Sequence, residues 1–176
     1  MRVIITLRLQ APQLLSKTCK GEDMVEPGFE FIFAAEGKLA DPIQFGDTYE
    51  GARRMIPILD GHFAGPDIRG TFMSTGAADW QHTRLDGVTQ AEATYAIKTD
   101  DGVIIQVDNY GLRFGPDAVM KRLAAGEDVD PSEYYFRTNP RFKAPVGKYD
   151  WLNRGIFIAT GARAPNGIKL WFYKVI

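Results

Sequence analysis

Two short loops constrain this chain more than any other feature, because each joins strand-like runs too closely to allow anything but antiparallel pairing. The runs are "DWQHTR" (79–84), "AEATYAIKT" (91–99) and "VIIQVDN" (103–109). Between the first two lies Asp86-Gly87, and between the last two lies Asp100-Asp101-Gly102. Asp and Gly accept the backbone angles that tight hairpins need, so the first reads as a two-residue turn. The second reads as a three-residue loop with Gly102 in the left-handed position. Three consecutive strands joined in this way form an antiparallel meander.

Further strand-like runs flank this meander: "FEFIFAAEG" (29–37), "DIRGTFMS" (67–74), "YYFRT" (134–138), "GIFIATGA" (155–162) and "IKLWFYKV" (168–175). Asn166-Gly167 is a second two-residue turn signal and joins the last two. A single helix is legible in "GPDAVMKRLAAGED", with Pro116 at a first helical position, Asp117 in the first turn, Lys121 and Arg122 later, and Gly126 just past the end. Many antiparallel strands and one short inserted α-helix predict an all-β fold. The expected form is a closed antiparallel meander β-barrel of about 8–10 strands, with a sandwich as the alternative. Closure also removes the exposed edges a meander would leave. The 176 residues fit one domain. Residues 1–27 read as an N-terminal extension, with "VIITLRL" as a strand, and 28–176 as the barrel domain.

Hairpin loops set which side chains share a face. A two-residue loop at Asp86-Gly87 pairs His82 with Ala91, Gln81 with Glu92, Trp80 with Ala93 and Asp79 with Thr94. A three-residue loop at 100–102 pairs Ile97 with Ile105, Tyr95 with Val107 and Ala93 with Asn109; a shorter loop would set apolar against polar residues. One face then carries Trp80, His82, Ala91, Ala93, Tyr95, Ile97, Ile105, Val107 and Asn109. The other carries Asp79, Gln81, Glu92, Thr94, Gln106 and Asp108. The apolar face is expected to point inward, giving a greasy cavity with a few polar groups. The alternative is a polar lumen lined by Asp79 and Glu92, which requires the apolar face to be covered from outside. In the last hairpin Ile158, Trp171, Tyr173 and Val175 share one side and Phe157, Leu170 and Phe172 the other. Both sides are apolar, which suggests a subunit interface or the N-terminal segment as cover.

Composition narrows the partners. The net charge is −1 and Lys and Arg are dispersed, so there is neither an electrostatic footprint for nucleic acid nor a polybasic patch for a membrane surface. One cysteine, Cys19, cannot form an intrachain disulfide or a Cys-rich zinc site, and the cytoplasm is the expected compartment. No Gly-x-Ser-x-Gly elbow and no phosphate-cradling glycine loop occurs, which disfavours serine hydrolases and nucleotide-dependent enzymes. Two histidines do not make a transition-metal site, and Asp128, Asp130 and Glu133 read as a turn in which Asp130 caps Pro131-Ser132-Glu133. No cofactor or metal is expected.

Several stretches together resemble a bacterial and fungal family known as DUF3237 or UPF0311: "GARRMIPILDGHFAGPDIRG" (51–70), "ADWQ" (78–81), "TDDGVIIQVDNYGLR" (99–113), "DPSEYYFRTNPRF" (130–142) and "WLNRGIFIATGAR" (151–163). The resemblance covers residues 28–176. It implies a small antiparallel β-barrel and leaves the activity undefined. Arg54, Asp79, Trp80, Asn109, Tyr135, Arg137, Trp151 and Asn153 fit its pattern. His62 and His82 stand where it does not carry histidine, and Tyr110 where a basic residue is more usual, so a shared mechanism should not rest on histidine.

The candidate chemistry follows from residue types. Asp79 suits a general base, or a carboxylate satisfied by backbone amides or an arginine. His82 in an apolar cavity would be a neutral acid/base group, or a hydrogen-bonded core residue. Tyr135 and Arg137 alternate onto one face and could hold a carboxylate, phenolate or enolate, unless Arg137 serves as glue against Asp79 or Glu133. Arg53 and Arg54 offer similar service, and one of the two must point outward if the run is extended. The expected function is a small-molecule-binding barrel acting as a cofactor-independent lyase, isomerase or cyclase on a small apolar or aromatic oxygenated compound. Asp79 or a tyrosine would move a proton, Arg137 and Asn109 would steady charge on oxygen, and Trp80, Tyr95 and Trp151 would form walls. The alternatives are a non-catalytic ligand carrier or sensor, or a structural partner protein that forms a homo-oligomer through its C-terminal hairpin.

Overall fold

The computed structural model describes residues 25–165 and 167–176. The expected strand at "VIITLRL", Cys19 and the turn residue Asn166 lie outside the described residues. Nine strands follow one another: β1 (Phe29–Leu39), β2 (Ile43–Thr48), β3 (Gly51–Ala64), β4 (Arg69–Thr83), β5 (Thr89–Thr99), β6 (Ile104–Phe114), β7 (Tyr135–Lys143), β8 (Phe157–Ala164) and β9 (Gly167–Val175). Each neighbour pair is antiparallel, in the order β1-β9-β8-β7-β6-β5-β4-β3-β2, and a further β1–β3 pairing closes eight of them into a barrel. β2 is the extra strand and pairs only with the first part of β3. One helix, α1 (Asp117–Ala124), follows β6.

The local signals explain most of this. Pro116 precedes the first turn of α1, Asp117 lies within that turn, and Gly126 takes φ +80° just past the helix end. Asp130 accepts a hydrogen bond from the Ser132 amide and opens a short 3-10 turn, Pro131–Glu133, whose Glu133 pairs with Arg122. The loop after β5 has three residues: Thr99 N–H donates to Val103 O, Gly102 N–H donates to Thr99 O, and Gly102 takes φ +89°. Ala93–Asn109, Tyr95–Val107 and Ile97–Ile105 therefore pair as expected.

The β4–β5 hairpin differs from expectation by one residue. Arg84 N–H donates to Val88 O and Gly87 N–H to Arg84 O, so Leu85 belongs to the loop, where it is 91% exposed. Gly87 takes φ +84° and the Asp86 carboxylate accepts from the Val88 amide, which makes a three-residue loop the stable closure. Asp79 consequently pairs with Ala93, Trp80 with Glu92, Gln81 with Ala91 and His82 with Gln90. A one-residue slip exchanges the faces of a strand. Asp79 and Gln81 are buried inside, and Trp80 and His82 point out. The outward Trp80 is partly covered by Phe45 of β2, with ring centroids 5.8 Å apart, and by the Arg53 guanidinium at 6.0 Å. The lumen is thus neither of the two expected kinds: β5 and β6 present their apolar faces to it, and β4 presents a carboxylate and an amide.

The barrel interior is divided along its length. One half is an aromatic core in which Phe33 stacks on Phe172 at 4.4 Å and meets Phe63 at 5.2 Å, while Phe142 meets Phe157 edge-on at 5.0 Å. Tyr149 and Leu152 join this cluster, and Leu152 lies within a second 3-10 turn, Asp150–Arg154. At the other half Val119 and Leu123 of α1 pack with Val129, Tyr134 and Phe136 as a second cluster. Phe157, Leu170 and Phe172 of the last hairpin face the interior, as alternation requires, and Ile158, Trp171 and Tyr173 lie half-buried on the outer side.

Candidate functional site

Between the aromatic core and the α1 cluster lies a layer of polar side chains. Three successive rows of paired inward positions cross β4, β5, β6 and β7. They are Asp79–Ala93–Asn109–Pro140, then Gln81–Ala91–Gly111–Thr138, then Thr83–Thr89–Arg113–Phe136. β3 adds Ile56 beside Asp79 and Arg54 beside Gln81, and Arg163 follows from the inward alternation of Phe157, Ala159 and Gly161 along β8. The small side chains of Ala91 and Ala93 leave room at the centre. There the cavity measures about 40 Å³, enough for a few water-sized groups, and its lining includes Asp79, Asn109, Tyr95, Thr138, Phe136 and Ile168. Its wall at Gly37, Phe72 and Ile168 is shared with an open outer depression of about 640 Å³ that reaches Lys38, His62 and Lys169.

The polar groups form a chain with loose ends. Arg54 donates from Nε and Nη2 to Gln81 Oε1 at 3.0 and 2.7 Å, and Gln81 Nε2 donates to Asp79 Oδ2 at 2.5 Å. Four buried side-chain atoms have no hydrogen-bond partner among the described residues: Asp79 Oδ1, Asn109 Oδ1, Thr138 Oγ1 and Arg113 Nε. Buried polar atoms in folded proteins nearly always have partners, so these four stand apart from the rest of the interior. Arg113 lies over the Phe136 ring at 5.6 Å. The Phe136 ring lies over Gly161 of the neighbouring strand β8, which has no side chain; a Cβ there would come within 2.6 Å of the ring.

Burial dominates the electrostatics of this layer. It raises the Asp79 carboxyl above the ordinary carboxylate range, against the Gln81 hydrogen bond and the nearby Arg113, Arg54 and Arg163 charges, which pull the other way. It pushes the Arg113 guanidinium down to about 10, with Arg54 and Arg163 adding to the fall. Arg54 and Arg163 are lowered by burial in the same sense. Tyr95 is raised by burial and stays a neutral phenol able to donate a hydrogen bond.

The expected site residues divide accordingly. Asp79, Asn109, Tyr95 and Arg54 meet in this layer. Trp80 and His82 lie on the outside of β4, as the register dictates. Tyr135 and Arg137 also face outward: Tyr135 is 42% exposed and stacks on Phe114, and Arg137 lies over the Tyr135 ring and donates to Phe136 O. In β7 the inward residues are Phe136, Thr138 and Pro140 instead. Trp151 packs beside Phe157 at the aromatic end, away from the cavity. Asn153 brackets Ala144, accepting from its amide and donating to its carbonyl, which fixes the loop after β7. Sequence reasoning missed Gln81, Arg113, Arg163 and Thr138. Continuing the alternation of β6 from Asn109 places Arg113 inward, a signal that was available. No group of His, Cys, Asp and Glu among the described residues has the geometry of a metal site.

An eight-stranded antiparallel barrel with a buried, cation-rich polar layer and one short helix among the described residues defines a small β-barrel protein with an internal polar cavity. The chain belongs to the family described as "Protein of unknown function (DUF3237)", whose pattern matches residues 27–175. It is 37% identical over 147 residues to a UPF0311 protein of Rhodopseudomonas palustris, covering 84% of this chain and 95% of that one. Its fold superimposes on the crystal structure of a conserved protein of unknown function from Rhodopseudomonas palustris with TM-score 0.84 and 35% identity, covering 87% of this chain and 100% of the other. An enzyme from Penicillium herquei shares the fold at TM-score 0.66 and 19% identity, covering 89% of this chain and all of that one.

Proposed function

We propose that this protein is a cofactor-independent enzyme that moves a proton on a small, largely apolar or aromatic oxygenated compound held inside the barrel. The observation that carries the reading is that three residues with unpartnered buried atoms, Asp79, Asn109 and Thr138, line one internal cavity, with the unpartnered Arg113 Nε in the same polar layer. Asp79 supplies the acid/base group. Its raised pKa brings it toward neutrality, where a carboxyl both accepts and returns a proton efficiently. Gln81, held by Arg54, orients the carboxyl through Oδ2 and leaves Oδ1 for substrate. The oxyanion role assigned to Arg137 from the sequence passes to Arg113, because Arg137 faces outward; Asn109, two inward positions along β6 from Arg113, and the neutral Tyr95 phenol line the cavity itself. Ala91, Ala93, Phe72 and Phe136 form the apolar walls.

The test is deuterium wash-in. A panel of small enolisable aromatic ketones and keto acids is incubated with the protein in heavy water and followed by proton NMR. The reading expects exchange at the carbon next to the carbonyl for at least one class. It expects Asp79→Asn to slow that exchange by about 10²-fold or more while binding persists. Saturable binding at the cavity with no exchange of any compound would establish a carrier instead.

A further inference from the structure

Three arginines of this chain enter the barrel without an acidic partner at ion-pairing distance, Arg113 buried and Arg54 and Arg163 partly so. Arg84, Arg122 and Arg154 on the surface each form an ion pair, with Asp86, with Glu127 and Glu133, and with Asp150. Arg54, Arg113 and Arg163 lie in the barrel, and among the described residues none has a carboxylate within ion-pairing distance; the eight ion pairs all involve other cations. Arg54 is satisfied by a neutral amide, Arg113 by the face of Phe136. Asp79 is the one acid that acts on all three, and even its ionised form leaves the layer with two uncompensated positive charges. Selection for stability alone works the other way, since a buried cation without a partner is costly and surface ion pairs contribute little. A site that keeps such an excess is complementary to an anion.

We propose that the natural ligand carries a carboxylate or an equivalent planar oxyanion, which docks on Arg113 and Arg163 while its apolar remainder lies against Ala91, Ala93 and Leu170. This rests on the internal site proposed above and adds the charge class of what occupies it. A guanidinium matches a planar oxyanion through two parallel N–H donors, and the bare Arg113 Nε–H is one such donor. The remaining atoms of a ligand longer than the cavity run through the Gly37–Phe72–Ile168 wall into the outer depression, where Lys38 and Lys169 are already paired with Asp60 and Glu36 and the anion preference rests on the inner arginines.

The experiment compares matched pairs of probes by isothermal titration calorimetry: acetate with acetamide, propionate with propionamide and benzoate with benzamide, at constant ionic strength. At least one carboxylate should bind tenfold or more tightly than its neutral amide, which corresponds to about 1.4 kcal/mol of discrimination. Arg113→Met should remove that preference and at the same time raise the melting temperature of the ligand-free protein, because a costly buried charge is gone. An arginine kept for structure gives the opposite signature, a lowered melting temperature, and that result overturns the proposal. Arg163→Met repeats the comparison should Arg113→Met fail to fold. If the amides bind the cavity as well as or better than the carboxylates, the anion inference fails while the internal site stands. If neither set binds, both fail.

Discussion

Gln81 connects the two charged groups that matter most, accepting from Arg54 and donating to Asp79. Replacing it by Leu leaves a buried guanidinium and a buried carboxyl without that partner, and the expected loss of stability is about 1–3 kcal/mol by urea denaturation. Asp79 itself should reveal its environment through pH. A carboxyl whose folded pKa is raised adds stability below its unfolded value and loses it as pH rises through the folded value. The wild type should therefore lose stability relative to Asp79→Asn as pH increases from about 4 upward. Urea midpoints of both proteins across pH 4–8 check this. A difference that stays flat, or that moves in favour of the wild type, would show that the arginines, rather than burial, govern the carboxyl.

At the scale of elements, the strands from β4 to β7 decide what the barrel contains, and their parity is set by loops. The sequence was legible where loop and alternation agreed. The Asp100-Asp101-Gly102 loop set β5 against β6 correctly, and Pro116, Asp117 and Gly126 marked the helix. It failed at β4, where Asp-Gly fits a two-residue turn but the closure recruits Leu85. The indole of Trp80 looked like core until β2 supplied an outer cover that no local pattern announces. The alternation of "YYFRT" was legible too, but not its phase: whether Tyr135 or Phe136 enters the barrel depends on pairing with β6. Gly87 at φ +84° holds the β4 loop, so Gly87→Ala should cost about 1 kcal/mol through the strain of a side chain in the left-handed region. Gly161→Ala should push Phe136 off the cavity and cost about 1–3 kcal/mol. A thermal melt measures both, and only Gly161→Ala should also weaken ligand binding.

At the scale of the whole molecule, closure explains why a polar layer is tolerated at all. Eight strands close into a ring, so most of the barrel backbone is satisfied by neighbouring strands, and where β7 and β8 pair at only two positions Asn139 Nδ2 donates to Phe157 O. The aromatic half supplies packing while the other half is free to carry orphaned donors and acceptors. Apolar features on the outside include the β2 hairpin with Ile43 and Phe45, the band with Phe114 and Tyr135, and Phe29 and Phe31 beside Tyr173, and none of these residues lines the cavity. The proposed ligand lies inside the barrel rather than on these outer patches. Methyl NMR of protein labelled at Ala and Ile separates the two most directly, with benzoate and benzyl alcohol titrated as small oxygenated aromatic probes. Saturable shifts at Ala91, Ala93, Ile58 and Ile168, with Ile158 beside the outer Tyr135 and Arg137 unmoved, are the predicted result. Shifts at Ile158 with the four cavity methyls silent would contradict it.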